Sequence, residues 1–270
     1  MNQPKPLFLI VSSSLDAPGA VLLKTTAEQQ NLQAEIVVIG SEGLTARIHS
    51  ADYIVYRIGP KSYNLYAELL ETLEGAPKIQ LAHMLKAFDK AETHDVLFDA
   101  DIAIPRTWQI DRSYAPTEFP FIVKITRGNQ GLGVELINST DDFQTFLASY
   151  EGDVFVAQEF IAEAAASDKR LFVVGDTVVA AMQRRSASDD FRANLHLGGS
   201  AEAYTPTDTE VSLALASLTA FDIDFAGVDI IDSERGPLVL EVNPSPGFGI
   251  AEITGIDVAT EVVTYVTRSK

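Results

Sequence analysis

Two apolar runs near the end of the chain, Ala226-Gly227-Val228-Asp229 and Leu238-Val239-Leu240-Glu241-Val242-Asn243, constrain this sequence more than any other feature. Both have strand character, and residues two apart on a strand share a face, so Glu241 and Asn243 point one way while Leu240 and Val242 point the other. The intervening Asp232-Ser233-Glu234-Arg235-Gly236-Pro237 reads as a tight turn, which makes the runs an antiparallel pair and lets Asp229 join Glu241 and Asn243. Two carboxylates about 4 Å apart repel by roughly 1 kcal/mol in water and about 4 kcal/mol at an effective dielectric of 20. A half-buried pair therefore calls for a cation or a shared proton. Oxygen-only ligands favour Mg²⁺ or Mn²⁺ over zinc. The alternative is a solvated hairpin with incidental acids.

The chain has 270 residues, 46% of them hydrophobic and 21% charged, enough for one large core or a few smaller ones. No apolar run approaches membrane-spanning length, and the 7–11 stretch is too short for a signal-peptide core, so a cytoplasmic, membrane-free protein is expected. Zero cysteines exclude disulfides and thiolate chemistry. A formal charge of −18 argues against a nucleic-acid partner, whose phosphates it would repel. An anionic substrate must then meet Lys and Arg gathered locally.

Residues 6–80 alternate buried strands (6–11, 35–39, 52–57) with helical stretches, the pattern of an open α/β unit on a parallel sheet. Ligands of such sheets lie beyond the strands' carboxyl ends, where Ser12 to Ser14 and Arg57-Ile58-Gly59 fall. A helix is expected over 84–100. Beyond it, strands at 121–125, 134–137, 154–159, 169–174, 178–183, 225–232 and 237–242, with helices at 141–150, 208–221 and 257–267, predict an α+β body. Thr207 with Glu210 fits a capping box.

Four further segments carry polar chemistry. Lys124 precedes Thr126-Arg127-Gly128-Asn129-Gln130-Gly131-Leu132-Gly133, a glycine turn between strands whose backbone amides can approach phosphate oxygens. It is neither a Walker loop nor a Rossmann fingerprint; taken alone it reads as an ordinary glycine hairpin, and its position upstream of the metal-type constellation is what favours phosphate. Gln158-Glu159-Phe160-Ile161 ends a strand, which suits either core packing or a purine edge. Asp168 and Arg170 share a strand face, as a site or as a surface ion pair. Arg184, Arg185, Arg192 and Asn194 gather in an otherwise acidic chain, and arginine forks bind phosphate and carboxylate bidentately.

In this order, Lys90, Lys124 with its glycine loop, Gln158-Glu159-Phe160-Ile161, Asp168-Lys169-Arg170, Arg192-Ala193-Asn194, Asp229 and Glu241-Val242-Asn243 resemble the ATP-grasp superfamily. Asp190-Phe191-Arg192-Ala193-Asn194-Leu195-His196 and Ser245-Pro246-Gly247 resemble, more narrowly, the RimK-type alpha-L-glutamate (amino-acid) ligases. The resemblance runs from about 86 to 260. It implies an α/β N-terminal domain (1–82) followed by an α+β ATP-grasp fold whose two subdomains, 83–160 with the glycine-rich lid and 161–270 with the metal site, clasp ATP. Lys90, Lys124, Gly128, Gly131 and Gly133 would meet the phosphates; Gln158, Glu159, Phe160 and Ile161 would meet adenine, and Asp168 the ribose side. Arg192 and Asn194 would lie by the transferred phosphate, with Arg170, Arg185 and Arg192 as catalytic arginines. Asp229, Glu241 and Asn243 would hold one or two Mg²⁺ or Mn²⁺ ions. The implied chemistry joins a carboxylate to an amine through an acyl phosphate, adding glutamate or a similar amino acid to a protein tail, peptide or small cofactor. The alternatives are an ATP-grasp phosphotransferase and a non-catalytic nucleotide-binding regulatory protein; a homo-oligomer is compatible with the resemblance. Leu197 stands where close relatives usually carry arginine, a departure that bears on substrate choice.

Overall fold

A computed structural model describes residues 4–128, 132–152, 154–164, 166–186 and 199–268. The first elements are β1 (Leu7–Ser12), α1 (Pro18–Gln29), β2 (Gln33–Val38), α2 (Leu44–Ser50), β3 (Tyr53–Arg57) and α3 (Tyr63–Thr72). The three strands form a parallel sheet in the order β2-β1-β3. Period-two alternation along β1 sends Leu9 and Val11 into one core and Phe8 and Ile10 into another, so both faces of the sheet are covered.

Two helices follow, α4 (Ala76–Phe88) and α5 (Lys90–Asp99). The single helix expected over 84–100 is broken at Asp89, which takes extended backbone (φ −97°, ψ 122°) and caps α5 by accepting from the Ala91 and Glu92 amides. Residues 82 and 83, where the sequence suggests a domain division, lie inside α4.

A second sheet, ordered β4-β7-β5-β6, is built from β4 (Thr107–Asp111), β5 (Phe121–Ile125), β6 (Val134–Ile137) and β7 (Val154–Glu159), with α6 (Thr140–Ser149) on one face. It has a core of its own, in which Val123, Phe143, Phe155 and Ala157 pack together.

The third sheet contains β8 (Ser167–Val174), β9 (Thr177–Arg185), β10 (Ser200–Ala203), then α7 (Asp208–Phe221), β11 (Phe225–Ile231) and β12 (Leu238–Asn243), in the order β10-β9-β8-β11-β12. Helices α8 (Ile250–Thr254) and α9 (Val258–Arg268) close the chain. This sheet shares both of its cores with the first: Leu171 and Val173 join Leu9 and Val11, while Phe172 and Val174 join Phe8 and Ile10. The first and third sheets are thus one packed body, and the second is a smaller unit beside it.

β11 and β12 pair antiparallel as expected, with Asp229 opposite Glu241 and Gly227 opposite Asn243; a bulge between Asp229 and Ile230 leaves Leu240 without a partner in the register. On β8 the alternation separates two charge groups. Lys169 turns towards α7, where its Nζ lies 2.7 Å from both Glu210 Oε1 and Asp232 Oδ1. Glu210 also completes the expected capping box with Thr207 and accepts from the Tyr204 hydroxyl. Burial disfavours the Glu210 carboxylate, but these donors hold its pKa below the ordinary value.

Removing the buried partner of Lys169 leaves it only Asp232, whose side chain is mostly exposed. Glu210→Ala should therefore lower stability in denaturant titration by about 3–5 kcal/mol; a loss below about 1 kcal/mol would show that Lys169 is not held by this pair.

Candidate active site

Between the second and third sheets lies a cavity of about 570 Å³, within the ordinary range for small-molecule sites. One wall comes from the second sheet and its glycine turn: Ile122, Lys124, Gly128, Leu132, Val134, Val156 and Gln158. Ile122, Lys124, Val134, Val156 and Gln158 are side chains that period-two alternation turns away from the core containing Val123, Phe155 and Ala157. The facing wall comes from β8, β9, β11 and β12, with Asp168, Arg170, Met182, Arg184, Asp229, Ile231, Glu241 and Asn243. Glu159, Phe160 and Ile161 join the walls, and Lys90 enters from the first turn of α5.

The two lysines are fixed in different ways. Lys124 is 9% exposed and donates to Gln158 Oε1 at 2.7 Å, while Gln158 donates in turn to the Thr107 hydroxyl. Burial pulls the Lys124 pKa down to about 8, with Lys90 adding repulsion and Glu241 partly opposing both. Lys90 donates through Nζ to the Gly128 carbonyl at 2.7 Å, tying α5 to the start of the glycine turn. The far end of that turn needs glycine: Gly133 has φ +68°, and a Cβ there would fall 2.5 Å from Ile125 Cδ1.

On the facing wall two acids and two arginines interlock. Arg170 grips Asp229 with a fork, Nε to Oδ1 and Nη2 to Oδ2, each at 2.7 Å. Arg184 grips Asp168 in the same manner at 2.6 and 2.7 Å, and its Nη2 also lies 2.8 Å from Asp229 Oδ2. Burial alone would raise the Asp229 pKa, but Arg170 and Arg184 override it and hold the carboxyl well below its usual range. Asp168 goes the other way: burial raises it, Arg184 only partly offsets this, and the Asp229 charge adds to the rise.

The oxygen set on β11 and β12 suits a hard cation. Glu241 makes no hydrogen bond or ion pair with any described residue, and Asn243 Oδ1 accepts only the Ser245 amide, at 3.0 Å. Asp229, with three donors on a carboxylate that offers about four acceptor positions, retains one. Two carboxylates and an amide fit Mg²⁺ or Mn²⁺, which keep water and phosphate oxygens as further ligands. Among the described residues no group of three or more His, Cys, Asp or Glu forms a metal cluster, so any such site depends on Asn243.

Arg185 departs from the sequence expectation. It is exposed on β9, reaching Gln183 and Glu202, and it is absent from the cavity wall; Arg184 occupies the inward position instead. The Glu159 carboxylate accepts from the Arg106 amide at 2.6 Å and pairs with Arg235 of the β11–β12 turn, linking the second sheet to the third. Gly131, Arg192 and Asn194 lie outside the described residues.

Residues 87–266 match the RimK-like ATP-grasp domain. The chain belongs to the RimK-like ATP-grasp family. A relative from Xanthomonas oryzae pv. oryzae (strain MAFF 311018), named probable alpha-L-glutamate ligase, is 41% identical over 196 residues, covering 69% of this chain and 66% of its own length. The RimK-like chain thus spans just under two thirds of that protein. A relative of the same name from Pasteurella multocida (strain Pm70) is 35% identical over 263 residues, 93% of this chain and 84% of the relative. The ATP-grasp fold is shared with the crystal structure of a RimK domain protein from Sphaerobacter thermophilus DSM 20745, at TM-score 0.72 and 18% identity, covering 96% of this chain and 98% of that one. No helix among the described residues is long and apolar enough to cross a membrane.

A lysine whose folded pKa lies below its unfolded value binds fewer protons when native, so stability rises with pH between about 8 and the ordinary lysine value near 10.4. The stability of wild type relative to Lys124→Met should therefore improve between pH 7 and pH 10 in denaturant titrations. A pH-independent difference would mean that Lys124 titrates normally.

Proposed function

We propose that this chain is an ATP- and divalent-cation-dependent carboxylate–amine ligase, joining glutamate or a similar amino acid to a protein, peptide or small-molecule acceptor. One juxtaposition carries the reading: buried cationic groups and an all-oxygen cation set line opposite walls of one cavity, together with apolar side chains. Ile122, Val134, Val156 and Phe160 suit a purine ring, and the strand end at Glu159 to Ile161 suits its polar edge. Lys90, Lys124 and the glycine turn suit the phosphates. On the family pattern Asp168, which lines the same cavity, would face the ribose side. The names of the relatives support glutamate as the added amino acid, and we extend that to this chain as part of the proposal.

The chemistry follows from charge. A carboxylate oxygen attacks the terminal phosphorus of ATP and ADP leaves; an amine then attacks the acyl carbon, phosphate leaves with the acyl–oxygen electron pair, and the nitrogen loses a proton. Both reactants of the first step are anionic, so positioned positive charge provides most of the assistance. Arg170 and Arg184 line the cavity with forks that already grip Asp229 and Asp168, so their charge and remaining N–H groups would serve this task, with Arg184 replacing Arg185 as the inward arginine and Arg192 held to the same duty on the family pattern. A cation bound by Asp229, Glu241 and Asn243 would supply further neutralisation of phosphate charge. With substrates bound between them, the two walls would keep water from hydrolysing an acyl phosphate.

Mass spectrometry of reactions containing the protein, ATP, Mg²⁺, amino acids and cell extract tests the reading: a new amide product and stoichiometric ADP are expected. A stable phosphorylated product without an amide would favour a phosphotransferase, and no ADP release with any mixture would defeat catalysis altogether. Glu241→Gln should keep nucleotide affinity within a few-fold and lower turnover about 100-fold or more. Arg170→Lys keeps the charge but loses the fork, so turnover should fall by at least about 10-fold; unchanged kinetics would remove Arg170 from the transfer.

A further inference from the structure

Ser12 and Arg57 have no part in the cavity walls, yet they sit where an open α/β sheet receives ligands. Ser12 ends β1, Arg57 ends β3, and the register sets them opposite each other. β1 is the middle strand, with β2 on one side and β3 on the other, so the crevice at the carboxyl ends of β1 and β3 is the topological switch point of this sheet. Ser12 is 1% exposed. Its Oγ and Arg57 Nη1 are the two buried side-chain polar atoms, among the described residues, that lack any hydrogen-bond partner. Leaving such groups unsatisfied is costly, and native chains seldom do so without a partner to come.

The surroundings add positive potential without an acid to balance it. Arg57 makes no ion pair with any described residue; its Nη2 donates to the Pro246 carbonyl at 2.8 Å, and the guanidinium carbon lies 4.8 Å from the centre of the Phe248 ring. The first turn of α1 comes against it directly, since a Cβ on Gly19 would sit 2.9 Å from Arg57 Nη2. That turn begins with Pro18 after Ala17, which gives no side-chain cap, so its partial positive charge faces a guanidinium that no described acid pairs with.

We infer that this crevice binds a substrate carboxylate that does not react, held by Arg57 Nη1, Ser12 Oγ and the start of α1. The inference rests on the ligase reading: an amino acid added through its amine still carries carboxylates that must be anchored away from the phosphoryl transfer, and an acceptor tail carries others. The crevice is well situated for that. Pro246 and Phe248, which cover the guanidinium, belong to the segment after β12 whose Ser245, Gly247 and Gly249 line the cavity beside Asn243. The same segment is what yields when the carboxylate enters.

Calorimetry on protein loaded with Mg·ADP tests this with three probes: L-glutamate, L-isoglutamine, in which an amide replaces the α-carboxylate, and N-acetyl-Glu-Glu, which has no free amine. Binding of glutamate identifies the amine substrate as the source of the carboxylate, and binding of the acetylated dipeptide identifies the acceptor. For whichever binds, Arg57→Gln should weaken affinity about 10-fold or more while leaving Mg·ADP affinity within about twofold. Ser12→Ala separates ligand binding from packing, because Ser12 Oγ bonds no described residue: the variant should keep or raise the melting temperature and still weaken the carboxylate. If wild type binds none of the probes, or if both variants bind them as tightly as wild type, the carboxylate site is wrong. If wild type fails to bind Mg·ADP at all, the ligase reading falls first and this inference with it.

Discussion

The interlocked charges of Asp168, Arg184, Asp229 and Arg170 are the interaction on which the rest of the site depends. Asp229 is 3% exposed, and a carboxylate so far from water persists in its charged form only because two guanidinium groups reach it. The cluster is neutral as a whole, two acids against two arginines, which lets it sit in the wall of a cavity that is also lined by apolar side chains. It also sets a condition on any cation. Asp229 must share its oxygens with arginines already in place, so the strength of a metal site rests on Glu241, which makes no ion pair with any described residue, and on phosphate oxygens brought by the nucleotide.

Strand alternation delivers these groups. Asp168 and Arg170 leave one face of β8 while Lys169 leaves the other to meet Glu210 and Asp232, so one strand serves both the cavity and the packing of α7. Lys124 and Gln158 come from neighbouring strands of the second sheet by the same rule. That sheet has a separate core, whereas the first and third sheets share theirs. The cavity therefore lies between two independently packed bodies, joined in part by the Lys90–Gly128 and Glu159–Arg235 links.

Much of this was legible in the chain because it follows from period two. Glu241 and Asn243 share a face on sequence grounds alone, and the turn between the two apolar runs brings Asp229 opposite Glu241. The capping box at Thr207 and Glu210 was equally local. What escaped was set by register or by distant contacts. Gln183-Arg184-Arg185 offers two adjacent arginines, and a shift of one residue exchanges inward for outward; the buried Met182, two positions before Arg184, was the available signal for the correct phase. The break at Asp89 was hidden because an aspartate inside a helical pattern looks like a solvent residue until it is seen to cap α5 and to bind Arg127, 38 positions away. The loneliness of Ser12 Oγ and Arg57 Nη1 depends on every neighbour in the fold, so no local pattern records it.

The central claim is that the cavity between the second and third sheets assembles a nucleotide and a divalent cation together, with Glu241 as the decisive carboxylate. Electron paramagnetic resonance of Mn²⁺ addresses it most directly. Mn²⁺ with ADP and the protein should give a broadened bound-ion spectrum, absent with Mn²⁺ and ADP alone and lost on Glu241→Gln. A spectrum in the presence of protein that matches Mn·ADP in buffer would contradict the account.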